Sequence, residues 1–183
     1  MKTFEIAPPE VAARANALIQ KYHTDLDCAG VRIDYVFAHD EDGDPVSHHG
    51  YPAVAVVRVV NLKDRTKGLA DAEITIDAKI YAAMKPEQQD GLLDHELYHL
   101  IVPRDDEGEF KQDATGRPRL KLRKHDWQMG WFTEIAKRHG PNSPEVFQAQ
   151  ILWDKAGQAF FPMLLGEAPP ATKKLKILKP ATE

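Results

Sequence analysis

Hydrophobic residues at helical and strand spacings divide the first half of the chain into a helix and three strands. Between Pro8 and about Leu26, apolar side chains recur every three or four positions, which predicts an amphipathic helix. Residues 31–37 alternate between apolar and polar, as in a half-buried strand. Residues 53–60 form a nearly continuous β-branched run that predicts a central strand. Residues 72–77 alternate again, and they predict the edge strand of the sheet.

The second half of the chain is patterned as helices around a hairpin. A helical pattern runs from Pro86 to about Val102, where the proline that follows disfavours helical geometry. Residues 109–122 predict a β-hairpin, and Trp127–His139 predicts a helix. Another helix begins after Ser143, a candidate N-cap. The expected fold is α+β, a zincin-like domain in which a small mixed or antiparallel sheet packs on the first helix and on the helix beginning at Pro86, followed by the hairpin and C-terminal helices.

Composition and charge indicate one soluble globular domain. The chain has 183 residues and 43% hydrophobic content, so we expect a single domain over residues 1–167 and a basic, flexible tail over residues 168–183. The net charge of -4 argues against general charge-driven binding to nucleic acid or membrane, although the tail leaves a nucleic-acid contact open. The sequence shows no membrane span and no secretion signal. Its single cysteine, Cys28, fits a reducing cytosol.

The candidate chemistry lies in the helix that begins at Pro86. The residues from His95 to His99 spell H-E-x-x-H, and positions i and i+4 lie on one face of a helix, so both imidazoles can reach one ion. Glu96 then lies beside the metal, where it can deprotonate a water. The alternative is a core helix whose histidines are merely hydrogen-bonded. We disfavour it, because such a helix has no reason to place His, Glu and His on one largely buried face.

A catalytic zinc takes three protein ligands and leaves the fourth position for water, so one ligand lies outside the motif. His125 is the leading candidate, since it lies between the hairpin and the next helix. Asp126 could ligate directly or orient an imidazole, and Glu134 is an outside candidate. The ligand types predict Zn²⁺, although other divalent metals fit them. The candidates for stabilising an oxyanion, which the sequence leaves open, are Tyr98, Arg123 and Lys124.

The stretches Gly91–Leu100 and Leu120–Asp126 resemble the phage metallopeptidase family, which is found in bacteriophage and prophage genomes. Similar segments are Lys21-Tyr22-His23 near the start and Arg138-His139-Gly140 at the end of a helix. One departure is the stretch Trp127–Phe132, where family members carry acidic residues. The order of elements is also similar to that of SprT-like proteases, some of which act on proteins bound to DNA. That similarity is an analogy between folds.

The resemblance implies a zinc-dependent metallopeptidase that acts on a protein or peptide substrate in the cytoplasm of a bacterial host cell. It implies His95, His99 and His125 as metal ligands and Glu96 as general base. Two alternatives stay open: a non-catalytic metal-binding interaction module, and a SprT-like DNA-associated protease that uses the basic tail. Glu96 argues against the first, because a purely structural site closes all four positions and needs no base. The sequence does not indicate an oligomeric state.

Overall fold

The structure is a computed structural model that describes residues 1–41, 43, 45–48, 51–125 and 132–156. Three predictions therefore lie outside the described residues: the role of Asp126, the first part of the helix beginning at Trp127, and the basic tail with its boundary at residue 168. None of the described helices is long and apolar enough to cross a membrane.

The described residues form seven α-helices and eight strands. The helices are α1 (Pro9–Tyr22), α2 (Thr24–Cys28), α3 (Leu62–Thr66), α4 (Ala78–Ala83), α5 (Pro86–Tyr98), α6 (Thr133–His139) and α7 (Pro144–Ala156), with a 3-10 turn at Gly140–Asn142. The strands are β1 (Thr3–Ile6), β2 (Ile33–His39), β3 (Ser47–His48), β4 (Tyr51–Pro52), β5 (Ala55–Val59), β6 (Ala72–Asp77), β7 (Leu100–Ile101) and β8 (Lys121–Leu122).

The main sheet has four strands in the order β1-β2-β6-β5. β2 and β6 are parallel, whereas β1 pairs with β2 and β5 pairs with β6 in antiparallel fashion. This mixed sheet and its helices confirm the predicted α+β class. The predicted positions of two strands were wrong, because residues 72–77 form an inner strand and β5 lies at the edge. Alternation in a sequence reports which face of a strand meets solvent, and it carries no information about hydrogen-bonded neighbours.

The core lies between one face of this sheet and helices α1 and α5. Side chains from β2, β5 and β6 contact the apolar faces of both helices in one cluster, while Asp34, Arg58 and Glu73 lie on the opposite face of the sheet. In α5, the fully buried side chains of Leu93 and Leu97 fix the rotation of the helix about its axis. The rotation of α5 thereby determines where the H-E-x-x-H residues point.

Two predicted helices end earlier than their patterns indicate. α1 ends at Tyr22, because His23 leaves helical geometry with φ −122° and ψ 52°, and a separate helix, α2, continues from Thr24. α5 ends at Tyr98, since the next residues leave the helix to form β7. In both places apolar spacing continues across a break that depends on tertiary contacts.

The two arms of the predicted hairpin over residues 109–122 pair across its turn, since the Arg119 N–H donates to the Lys111 carbonyl, but they do not form two regular strands. Its only regular strand, β8, pairs with β7 at the end of the motif helix. The rest of the segment is held by isolated bridges, such as the one between Gln112 and Pro118. The pairing of β8 with β7 brings the residues after Leu122 back to the end of α5.

Candidate metal centre

Three imidazoles meet at the C-terminal end of α5. His95 and His99 lie one turn apart on the helix, and His125 follows β8. One nitrogen from each ring lies within 4.8 Å of the others, and the Nε2 atoms of His95 and His125 are 3.2 Å apart. Two nitrogens that share one tetrahedral zinc at about 2.0–2.1 Å stand about 3.3 Å from each other. The donor set therefore fits a single ion of that size.

Two hydrogen bonds between His99 and Arg123 join the motif helix to the segment that carries His125. The Arg123 backbone N–H donates to the His99 carbonyl at 2.6 Å, and the His99 Nδ1–H donates to the Arg123 carbonyl at 2.8 Å. Because a carbonyl only accepts, the proton of this imidazole is on Nδ1 and the lone pair is on Nε2. Burial and the neighbouring imidazoles lower the pKa of His99 to about 3, so the ring stays neutral, as a metal ligand must be.

Glu145, at the start of α7, holds His95. Its carboxylate is 1% exposed, and its Oε1 accepts a hydrogen bond from Nδ1 of His95 at 2.6 Å. Burial opposes the charged imidazole, but this hydrogen bond and the nearby carboxylates raise the pKa of His95 above its usual value. With Nδ1 engaged, Nε2 of His95 is directed toward His125. No sequence signal indicates this role, because an acidic residue in the first turn is common to helices in general.

Local contacts place Glu145 beneath α5. Ser143 caps α7 as predicted, since its Oγ accepts from the Val146 N–H at 3.1 Å. The turn before α7 lies so close to α5 that a Cβ added at Gly91 would be 2.7 Å from the Asn142 carbonyl oxygen. Glycine is therefore required at this point of the helix, and its lack of a side chain allows Glu145 to reach His95.

Phe132 forms an apolar floor under the three imidazoles. It is fully buried, and its ring centroid lies 4.6 Å from that of His99, 4.8 Å from that of His125 and 4.9 Å from that of His95. Such a ring excludes water from one side of the nitrogens and restricts the orientations of the imidazoles. The sequence pattern placed Phe132 in the stretch that departs from the family and assigned it no role.

Glu96 lies beside the cluster and reaches the edge of the sheet. Its buried carboxylate accepts a hydrogen bond from the Val57 backbone N–H in β5. In an antiparallel pair, residues that bond to the neighbouring strand alternate with residues whose backbone groups point outward. Val54 and Val60 make such bonds, and Val57 lies an odd number of residues from both, so its N–H points away from β6. Burial raises the pKa of Glu96, while His95 and the Val57 N–H oppose that shift.

The remaining candidate residues lie elsewhere in the structure. Glu134 forms an ion pair with Lys137 at 2.9 Å and is not in the group of side chains that could hold a metal. The ring of Tyr98 packs against Phe132 and under the guanidinium of Arg123, whose Cζ is 4.2 Å from the ring centroid. Lys124 is exposed. The described contacts connect none of these three oxyanion candidates with Glu96.

A second polar cluster surrounds Asp94, the residue before the motif. Its fully buried carboxylate accepts hydrogen bonds at 2.6 Å from Nε2 of His23 and of His139, and at 3.0 and 3.2 Å from Arg138. Burial alone would raise the pKa of Asp94, but these bonds hold it well below its usual value. The cluster ties α5 to the end of α1 and to α6. The sequence pattern indicated only that Arg138 and His139 lie at the end of a helix.

Residues 2–156 match the family described as "Putative phage metallopeptidase". No curated protein and no solved structure has significant similarity to the chain. The family match covers the motif helix, the segment with His125, and both Asp94 and Glu145 with their partners. The chain therefore belongs to the family described as "Putative phage metallopeptidase".

Proposed function

We propose that this protein is a zinc-dependent metallopeptidase, encoded by a phage or prophage, that hydrolyses peptide bonds in the cytoplasm of a bacterial host cell. The observation that carries the proposal is the convergence of three imidazole nitrogens next to the buried carboxylate of Glu96. Family membership supports the class of chemistry, and the geometry supports the choice of residues.

The three imidazoles of His95, His99 and His125 would hold the ion. Each ring can offer one neutral nitrogen, and two of the rings are oriented through Nδ1 by Glu145 and by the Arg123 carbonyl. Three histidines with a fourth position left for water form a ligand set typical of catalytic zinc. A divalent metal bound here supplies the Lewis acidity that lowers the pKa of a water and polarises a carbonyl.

Glu96 is the proposed general base. It takes a proton from the attacking water and later delivers it to the leaving amine. Because burial raises its pKa, Glu96 holds this proton more readily than an exposed carboxylate would. The Val57 N–H fixes the position of the carboxylate between the imidazoles and the sheet edge.

The edge of β5 that faces away from β6 is the proposed binding site for the substrate backbone. The outward-facing N–H of Val57 is taken by Glu96, so an extended peptide that pairs with the outward-facing groups on either side of it would pass the imidazoles. Pairing with a strand edge supplies affinity through main-chain hydrogen bonds. We therefore place the substrate at β5, the observed edge strand, and not at residues 72–77, which the sequence pattern predicted to be the edge.

Metal analysis combined with cleavage assays tests the proposal. We expect about one zinc per chain in the wild type and in Glu96→Gln, and loss of zinc in His99→Ala and His125→Ala. A mixture of unfolded proteins, analysed by mass spectrometry for new termini, should be cleaved by the wild type alone. A wild type that takes up no added zinc would refute the proposal. Zinc binding with no cleavage above the Glu96→Gln level would instead support a non-catalytic metal-binding module.

A further inference from the structure

A cavity of about 440 Å³ lies between α3 and the segment that leads to β8. Its apolar wall is formed by Val59, Leu62 and Leu120, and its polar wall includes Arg65, Asp113 and Arg119. None of these residues belongs to the metal centre.

The guanidinium of Arg65 holds the polar wall of the cavity together. The side chain of Arg65 is 4% exposed, and its terminal nitrogens bind Asp71, Asp113 and the Pro118 carbonyl. Its Nε is buried and makes no hydrogen bond to any described residue. Because this atom is closed to solvent, Arg65 serves to fix the wall, and a donor to a ligand must come from a residue on the open side of the cavity.

The charges of the wall favour an acidic ligand. Asp113 is compensated by Arg65 at 2.7 Å and by hydrogen bonds from the Thr115 N–H and hydroxyl. Arg119 is exposed, and its guanidinium forms no ion pair within the described part of the chain. The cavity therefore has one uncompensated positive charge beside an apolar wall.

The cavity adjoins the proposed path of the substrate. Val59 lies two residues along β5 from Val57, a distance of about 7 Å in a strand. Leu120 immediately precedes β8, which leads to His125. A peptide extended along β5 with one bond beside Glu96 would therefore bring a side chain about two residues away to the cavity.

We propose that this cavity is a specificity subsite that takes an acidic side chain of an extended peptide, with glutamate fitting best, about two residues from the bond that is cleaved. The inference rests on the proposed peptidase function. The methylenes of the glutamate pack on Val59, Leu62 and Leu120, and its carboxylate accepts a hydrogen bond from Arg119. Glutamine has the same shape and lacks the charge.

Matched peptides and two charge reversals test the subsite. The peptides carry Glu, Gln or Lys at each position within three residues of a cleavage site found in the wild type. We expect the wild type to favour Glu over Gln at one position by about tenfold in kcat/KM, as for one charge-assisted hydrogen bond. Arg119→Glu should remove that preference. Lys111→Glu, the same charge change at an exposed position of the same segment that does not line the cavity, should retain it.

A binding experiment separates this inference from the peptidase proposal. Zinc-loaded Glu96→Gln is incubated with a random peptide library, and the retained peptides are sequenced. Enrichment of Glu at one position that disappears in Glu96→Gln/Arg119→Glu supports the subsite. This holds even if the wild type cleaves nothing, because a lack of cleavage refutes only the peptidase proposal. The subsite is refuted if retained peptides show no acidic enrichment, or if cleavage occurs with equal rates for Glu and Gln.

Discussion

Glu145 and His95 are 50 positions apart in the chain, yet their side chains share a buried hydrogen bond of 2.6 Å between Oε1 and Nδ1. The bond connects the first turn of α7 with the motif helix, and it leaves Nε2 of His95 facing His125 at 3.2 Å. A carboxylate behind a ligating imidazole fixes the tautomer of the ring and increases its basicity. Much of the proposed metal affinity should therefore depend on a helix that contributes no ligand.

Replacing Glu145 should weaken metal binding without removing a ligand. We expect Glu145→Ala to reduce the affinity for zinc about 10- to 100-fold, because His95 loses the group that orients it. Glu145→Gln should lie between the alanine variant and the wild type, since its amide oxygen can still accept from Nδ1. Affinities can be measured by competition with a chromophoric chelator. Glu134→Ala, which removes an exposed acid from α6, is the control and should bind zinc as the wild type does.

Gly91 should tolerate no side chain, although it lies inside a helix. An alanine in a helix interior is usually favoured over glycine by about 1 kcal/mol. Here the added Cβ would meet the Asn142 carbonyl oxygen at 2.7 Å, and this oxygen belongs to the backbone. We expect Gly91→Ala to lower the free energy of unfolding by about 1–3 kcal/mol, as overpacking does, and to weaken zinc binding by displacing Glu145. Denaturant titration would measure the first effect, and a variant as stable as the wild type would refute the close approach.

These contacts show which parts of the site can be predicted from the sequence. The positions of His95, Glu96 and His99 follow from helical periodicity, which is local. His125 was predicted from its place between two elements, and the pairing of β8 with β7 brings it to the cluster. Glu145 could not be identified in this way, because its partner is distant in sequence and its own position is that of an ordinary first-turn acid.

The same limit applies to the fold. The α+β class follows from the order of periodic segments. Which of β5 and β6 lies at the edge depends on strand pairing, and the residue pattern of neither strand indicates that pairing. The break of α1 at His23 likewise reflects a contact with Asp94, in another helix. Hydrogen bonds between residues distant in sequence thus explain why the strand order and the end of α1 were predicted wrongly. Bonds of the same kind orient the imidazoles of the site.

Asp94 should be necessary for stability. Asp94→Asn keeps the shape of the side chain but removes the charge that serves two imidazoles and Arg138. Breaking a buried ionic cluster from one side costs about 3–5 kcal/mol, and we expect a loss of that size in the free energy of unfolding. The control is Asp90→Asn on the same helix, which removes a more exposed partner of Arg14 and should cost about 1 kcal/mol or less. Equal losses in the two variants would show that the Asp94 cluster stabilises the folded protein no more than the exposed ion pair of Asp90 does.

Zinc should stabilise the folded protein, because its three proposed ligands come from two segments that meet only in the native state. At a free zinc concentration of 100 times the Kd, the expected gain is about 2.7 kcal/mol, which corresponds to a rise of about 5–10 °C in Tm for a chain of this length. The measurement is thermal unfolding after treatment with a chelator, with and without added zinc. His125→Ala should lose most of the shift while its metal-free Tm stays near that of the wild type, since this ring is only partly buried. Magnesium, which prefers oxygen ligands, should give no shift in either protein. A zinc shift as large in His125→Ala as in the wild type would mean that the ion binds without this residue.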